Sequence, residues 1–98
     1  MYKDIITYEL ADNKTKEELI NIAQQIVNDW MKNLVGFIKW EMHTNSDGSY
    51  TDIVSWRSKE DAKLAEKEMV NIPNAEDWFA CYKPGTISSK NFTVVAEF

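Results

Sequence analysis

The chain is built from runs of two different periods. From Tyr2 to Leu10 the pattern alternates, setting Tyr2, Asp4, Ile6, Tyr8 and Leu10 on one face and Lys3, Ile5, Thr7 and Glu9 on the other. Aromatic and β-branched residues dominate this run, which is therefore expected to be a strand. The period then changes. Thr15 followed three residues later by Glu18 is a capping-box pattern, and Leu19, Ile22, Ala23, Ile26, Trp30 and Leu34 recur at steps of three and four. They predict one amphipathic helix from Thr15 to about Asn33. Gly36 is free to take the positive φ that ends it.

Alternation returns in Phe37–Thr44 and Tyr50–Trp56, joined through Asp47-Gly48, a strong hairpin signal. A two-residue loop on that pair sets His43 opposite Asp52, Trp40 opposite Ser55 and Lys39 opposite Trp56. A four-residue loop puts Glu41 against Asp52, and like charges across a pair are unfavourable. The shorter loop is therefore expected. It groups Phe37, Lys39, Glu41 and His43 with Tyr50, Asp52, Val54 and Trp56 on a mixed face. The plainer core face then carries Ile38, Trp40, Met42 and Thr44 with Thr51, Ile53 and Ser55.

Ser58 caps a second helix, with acids in its first turn and a stripe of Ala62, Ala65, Met69 and Ile72, until Pro73 stops it. Asn74 to Tyr82 reads as a short helical turn with Ala75, Trp78, Phe79 and Tyr82 on one side. Pro84-Gly85 is a turn. Thr86 to Phe98 is a last strand or a pair of short ones, alternating through Phe92, Val94, Ala96 and Phe98.

Strand, helix, strand, strand, helix, strand is the order of a split βαβ, and 98 residues make one domain, residues 1–98. The expected fold class is α+β: a ferredoxin-like sheet with two main helices on one face. The crossover helix is expected to make strands one and two parallel neighbours. The face without helices carries apolar residues that need cover, and a homodimer whose two sheets close into a barrel supplies it.

Apolar residues at 44% mark a globular chain, and the net charge of −5 offers no basic stripe for nucleic acid or for an anionic membrane surface. No apolar run approaches the roughly 18 residues of a membrane helix. The first residues lack the apolar core of a secretory signal, so a cytoplasmic setting is expected. Cys81 is the only cysteine and His43 the only histidine, which excludes an intrachain disulfide and argues against a zinc site.

Two constellations carry chemistry. A carboxylate at Asp52 opposite His43 can fix the imidazole tautomer and raise its basicity, as a general base requires. The plainer reading is a solvated cross-strand pair near the hairpin tip. Trp56, Trp40, Trp30, Trp78 and Phe79 can wall a pocket for a flat ligand, or can simply be core. Tyr8 can orient a substrate hydroxyl.

Gly36-Phe37-Ile38, with Trp56-Arg57-Ser58-Lys59-Glu60-Asp61-Ala62, resembles the antibiotic-biosynthesis-monooxygenase family of dimeric α+β barrels. There a glycine opens strand two, and a strand-end W-x-S-x-x-x-A passes into the second helix. The resemblance implies a pocket between sheet and helices with Trp56 as its tryptophan; Tyr8, Phe37, Trp78 and Phe79 are the chain's further ligand-binding candidates. It implies oxygenation of an electron-rich phenol or quinol without a cofactor, oxygen reacting at the substrate carbanion, and the chain's own His43 and Asp52 are the candidates for the base. Glu66 stands where the haem-degrading branch has a histidine, and no asparagine lies between Tyr2 and Leu10, so no cofactor is expected. The alternative is a non-catalytic ligand-binding or structural dimer on the same scaffold.

Overall fold

A computed structural model describes all 98 residues. Its strands are β1 (Tyr2–Tyr8), β2 (Phe37–Thr44), β3 (Tyr50–Trp56) and β4 (Ser88–Thr93); its helices are α1 (Lys16–Asp29), α2 (Lys59–Glu68) and α3 (Ala75–Phe79). The capping box forms as expected. Thr15 Oγ1 accepts from Glu18 N at 3.2 Å, and Glu18 Oε1 accepts from Thr15 N at 3.1 Å. α1 ends earlier than its apolar stripe implies. Trp30 leaves the helical region, and Met31–Asn33 form a single 3₁₀ turn, a change of winding that leaves both Trp30 and Met31 buried. α2 likewise ends in a 3₁₀ turn, Met69–Asn71, before an extended Ile72. The ring of Pro73 excludes a helical Ile72.

The sheet order is β2-β3-β1-β4, with every ladder antiparallel. This is a ferredoxin-like α+β fold. It corrects the expectation that β1 and β2 are neighbours: both run antiparallel to β3, which lies between them. The helix-crossover rule fixes their common direction and leaves a gap that the hairpin partner fills.

The hairpin register is the larger correction. Asn45 N donates to Ser49 O at 2.8 Å and Gly48 N to Asn45 O at 3.0 Å, so the loop has three residues, Ser46 to Gly48, with Gly48 at φ +87°. His43 therefore faces Thr51 and Asp52 faces Met42, while Trp40 faces Val54 and Lys39 faces Ser55. One residue of loop length moves a strand's side chains to the other face relative to its partner. The two-residue loop would have separated Trp40 and Met42 from Val54 and Trp56. The observed one gathers all four on the helix side, Val54 and Trp56 buried and Trp40 and Met42 half-buried. A bulge between Phe37 and Lys39 keeps Phe37 on that face opposite Trp56 and turns Ile38 outward.

The final strand is shorter than its alternation suggests. β1 begins at Tyr2, so beyond the Tyr2–Thr93 pair only Val94 N finds a partner, Met1 O at 2.9 Å. Val95 and Phe98 are exposed.

The larger apolar cluster joins Tyr2, Val54 and Trp56 of the sheet to Ile26 and Trp30 at the end of α1, Ala62 and Ala65 of α2 and Trp78 of α3. A smaller one holds Tyr8, Leu19, Tyr50 and Cys81 at the other end of the sheet. The outer face has no helix over it. Between partly buried Ile5 and Ile53 and exposed Phe92 it carries Lys3, Lys39, Glu41, His43 and Lys90.

Candidate functional site

Four strand positions point their side chains under the helices with polar ends: Asp4 on β1, Trp40 on β2, and Asp52 and Trp56 on β3. Between them and the helices lies a cavity of about 110 Å³. All four tryptophans line it, with Tyr82 and the small Ala62 and Ala65 of α2. The alanine stripe gives α2 its close approach, and the large indoles keep sheet and helices from closing completely.

Asp52 is the most buried charged residue, 1% exposed. Tyr8 Oη donates to its Oδ1 at 3.0 Å and Trp40 Nε1 to its Oδ2 at 3.1 Å. No lysine or arginine faces it. Burial outweighs both hydrogen bonds and the favourable charge of His43, and pushes its pKa up to about 6. A carboxylate held there is suited to take a proton near neutral pH.

Asp4 is the second carboxylate. Trp56 Nε1 donates to its Oδ2 at 3.2 Å. With its amide oriented by its neighbours, Asn91 donates to Asp4 Oδ1 at 2.8 Å and accepts from the Tyr2 hydroxyl at 3.2 Å. Burial raises the Asp4 pKa, the Trp56 bond opposes the shift and the Glu66 charge adds to it. Glu66, exposed on α2, is the third acid of the cavity and stands where it meets solvent.

Tyr82 has its pKa raised by burial and then by the Asp52 charge, so its phenol stays protonated. The Trp78 N–H beside the Tyr82 hydroxyl offsets part of that shift.

Of the residues singled out from sequence, Asp52, Trp56 and Trp78 line the cavity. Tyr8 lies behind it and acts through Asp52. Phe37 packs edge-on against Trp56 at 5.7 Å, and Phe79, 47% exposed, stacks on the far side of Trp78 at 5.2 Å. His43 is elsewhere. On the outer sheet face with its side chain 46% exposed, it has Glu41 as its carboxylate neighbour at 3.8 Å. The His43–Asp52 pair is thus undone by the hairpin register. Asp4 and Tyr82 are sequence-legible only in part. Asp4 breaks an otherwise apolar and aromatic face of β1, and Tyr82 shares a helical side with Trp78. Cys81 is buried with its Sγ 3.4 Å from Asp77 O, and burial raises its pKa, the opposite of an activated thiol. The donor set does not suit a haem iron: no histidine or cysteine lines the cavity, and α2 presents Glu66 to it.

No family model matches the chain, and no curated protein matches it. Solved structures do. The cofactor-independent oxygenase SnoaB from Streptomyces nogalater superposes with a TM-score of 0.75 at 15% identity, over 98% of this chain and 94% of that one. The chain has the subunit fold of the antibiotic biosynthesis monooxygenases. The monooxygenase ActVA-Orf6 of Streptomyces coelicolor, solved with Nanaomycin D, gives a TM-score of 0.67 at 16% identity, over 99% and 89% of the two chains. A dimeric ferredoxin-like protein from an uncultured marine organism gives 0.65 at 14% identity, over 100% and 98%.

Proposed function

We propose that the cavity binds a small aromatic molecule of the phenol or quinol type, and that the protein oxygenates it without a cofactor. The observation that carries this reading is Asp52: a buried carboxylate, held by Tyr8 and Trp40, lining an indole-walled cavity of one-ring size. A dry cavity of about 150 Å³ holds benzene, and this one is about 110 Å³, so the ligand proposed is no larger than a single ring with small substituents. Asp52 takes the hydroxyl proton, the resulting anion forms a C–O bond with dioxygen, and loss of water from the hydroperoxide leaves a carbonyl. For a phenol the sum is phenol plus dioxygen to quinone plus water. A cofactor-independent oxygenase among the proteins of this fold supports the reaction type.

The same reading includes a homodimer. The uncovered sheet face, with Ile5, Ile53 and Phe92 between charged residues, is suited to a second copy, and one protein of this fold is described as dimeric.

Oxygen uptake with monocyclic phenols and hydroquinones tests the reaction. The rate is expected to rise through about pH 6 as Asp52 ionises. Asp52→Asn is expected to lower it by about a hundredfold or more, and His43→Ala to leave it unchanged. Binding without oxygen uptake would make the protein a ligand carrier on this scaffold. Loss of the rate in His43→Ala would move the chemistry to the outer face.

A further inference from the structure

Tyr82 lines the cavity together with Asp52 and Trp78, and proton transfer to Asp52 leaves it without a part. Its backbone is fixed. Leu10 and Tyr82 form an antiparallel bridge beyond the end of β1, framed by Ala11 N donating to Cys81 O at 2.8 Å and Lys83 N to Glu9 O at 2.9 Å. Its ring is fixed as well. The Tyr8 ring meets it edge-on with centroids 4.5 Å apart, and the Trp78 ring does so at 6.2 Å.

The hydroxyl is the part left free. Tyr82 is half-buried, and its oxygen is not sealed from the cavity. The Trp78 N–H lies beside that oxygen, and a phenol approached there by a donor keeps its own hydrogen to give. Asp52 does not take it, because its donors are Tyr8 and Trp40. A carboxylate has roughly four acceptor sites, so Asp52 has room for a further donor. One wall of the cavity thus holds an acceptor with room and a donor with no acceptor, close enough for the Asp52 charge to act on Tyr82 and not bonded to each other.

Resting on the reading of Asp52 as the base of a single-ring site, we infer that Tyr82 is a second catalytic residue: its hydroxyl donates to the ligand oxygen whose proton Asp52 takes. The ligand oxygen must then both donate and accept, which selects a hydroxyl. In the transfer the ligand O–H bond breaks, its electron pair stays on the ligand oxygen, and the proton goes to the Asp52 carboxylate. Tyr82 keeps its own proton. The net charge of the cavity is unchanged, but the negative charge moves from a carboxylate held by two donors to an oxygen that has none unless Tyr82 supplies it. A fixed donor aimed at the place where charge develops favours the transfer.

Titration calorimetry with phenol, anisole and toluene at about pH 7.5, where phenol is neutral, separates the two contacts. Phenol donates to Asp52 and accepts from Tyr82, anisole only accepts, and toluene does neither. Anisole is expected to bind at least about threefold more tightly than toluene, and phenol at least about threefold more tightly than anisole. Tyr82→Phe is expected to erase the advantage of anisole over toluene, and Asp52→Asn to keep it. In oxygen uptake with hydroquinone, Tyr82→Phe is expected to lower kcat by about a hundredfold and to leave the pH midpoint in place, because Tyr82 is not among the groups that set the Asp52 pKa. A moved midpoint, or an unchanged kcat, overturns its part in the reaction. Anisole no tighter than toluene on the wild-type chain, a comparison that needs no variant to fold, overturns the Tyr82 contact and leaves the aromatic site standing. An anisole advantage that survives Tyr82→Phe does the same. Anisole above toluene with phenol no tighter than anisole upholds the contact and removes Asp52 as the base. No binding of any probe overturns both.

Discussion

A carboxyl group in water gives up its proton at about pH 4, whereas Asp52 holds its own up to about 6. Between those values the folded chain binds more protons than the unfolded chain, so stability falls as pH rises through that window. The contribution is on the order of 2 to 3 kcal/mol and is fully lost above about pH 7. Asp4 acts in the same direction, while Asp47, whose pKa Ser49 lowers, acts in the opposite one. Urea midpoints are expected to be higher at about pH 5 than at about pH 8, and Asp52→Asn to lose most of that difference. A difference that survives in the variant would assign the effect to other groups. The feature that makes Asp52 a candidate base thus destabilises the fold at neutral pH, as an active-site group can.

At the scale of elements, the junction between β2 and α2 rests on one glycine. Gly36 sits at φ +80°, its carbonyl accepts from Arg57 N at 2.8 Å, and any Cβ there would run into the Asp61 side chain. Asp61 is fixed in turn: its N–H donates to the Ser58 cap at 3.2 Å and Arg57 Nη2 to its Oδ2 at 3.0 Å. Gly36→Ala is expected to cost about 2 kcal/mol or more, from backbone strain and overpacking together. Gly48, at φ +87° with open space around it, has only the strain. Gly48→Ala is expected to cost about 1 kcal/mol. Denaturant midpoints at constant slope compare the two. Equal losses would mean that the Asp61 approach contributes nothing.

For the whole molecule, the consequence of a one-sided helix layer is an uncovered sheet. Ile5 and Ile53 form a cross-strand pair at its centre, and two such faces stacked would bury them. The wild-type chain is expected to scatter light as a dimer, and Ile53→Lys as a monomer with an unchanged circular dichroism spectrum. A monomeric wild type would remove the dimer. The cavity opens under the helices, on the opposite side of the sheet, so the proposed ligand site and the proposed dimer seam occupy different faces.

Local signals determined the elements: the capping box at Thr15, the bounds of β2 and β3, the stop at Pro73 and the ferredoxin-like order all follow from residues within one turn or one strand of each other. The aromatic wall at Trp56 and Trp78 was legible because their runs point inward in any compact version of this fold. Three features were not. The place of β3 between β1 and β2 is a pairing choice, and either arrangement satisfies the same backbone donors. The register of the hairpin turns on whether Gly48 closes a two- or a three-residue loop, and only the packing of Trp40, Met42, Val54 and Trp56 together under the helices decides it. That single residue moved Asp52 away from His43 and in under the helices. The shift of its pKa, and the gathering of Asp4 and Glu66 around the same cavity, come from desolvation and from distances between strands and helix that are remote in sequence, and only the packed tertiary structure sets those.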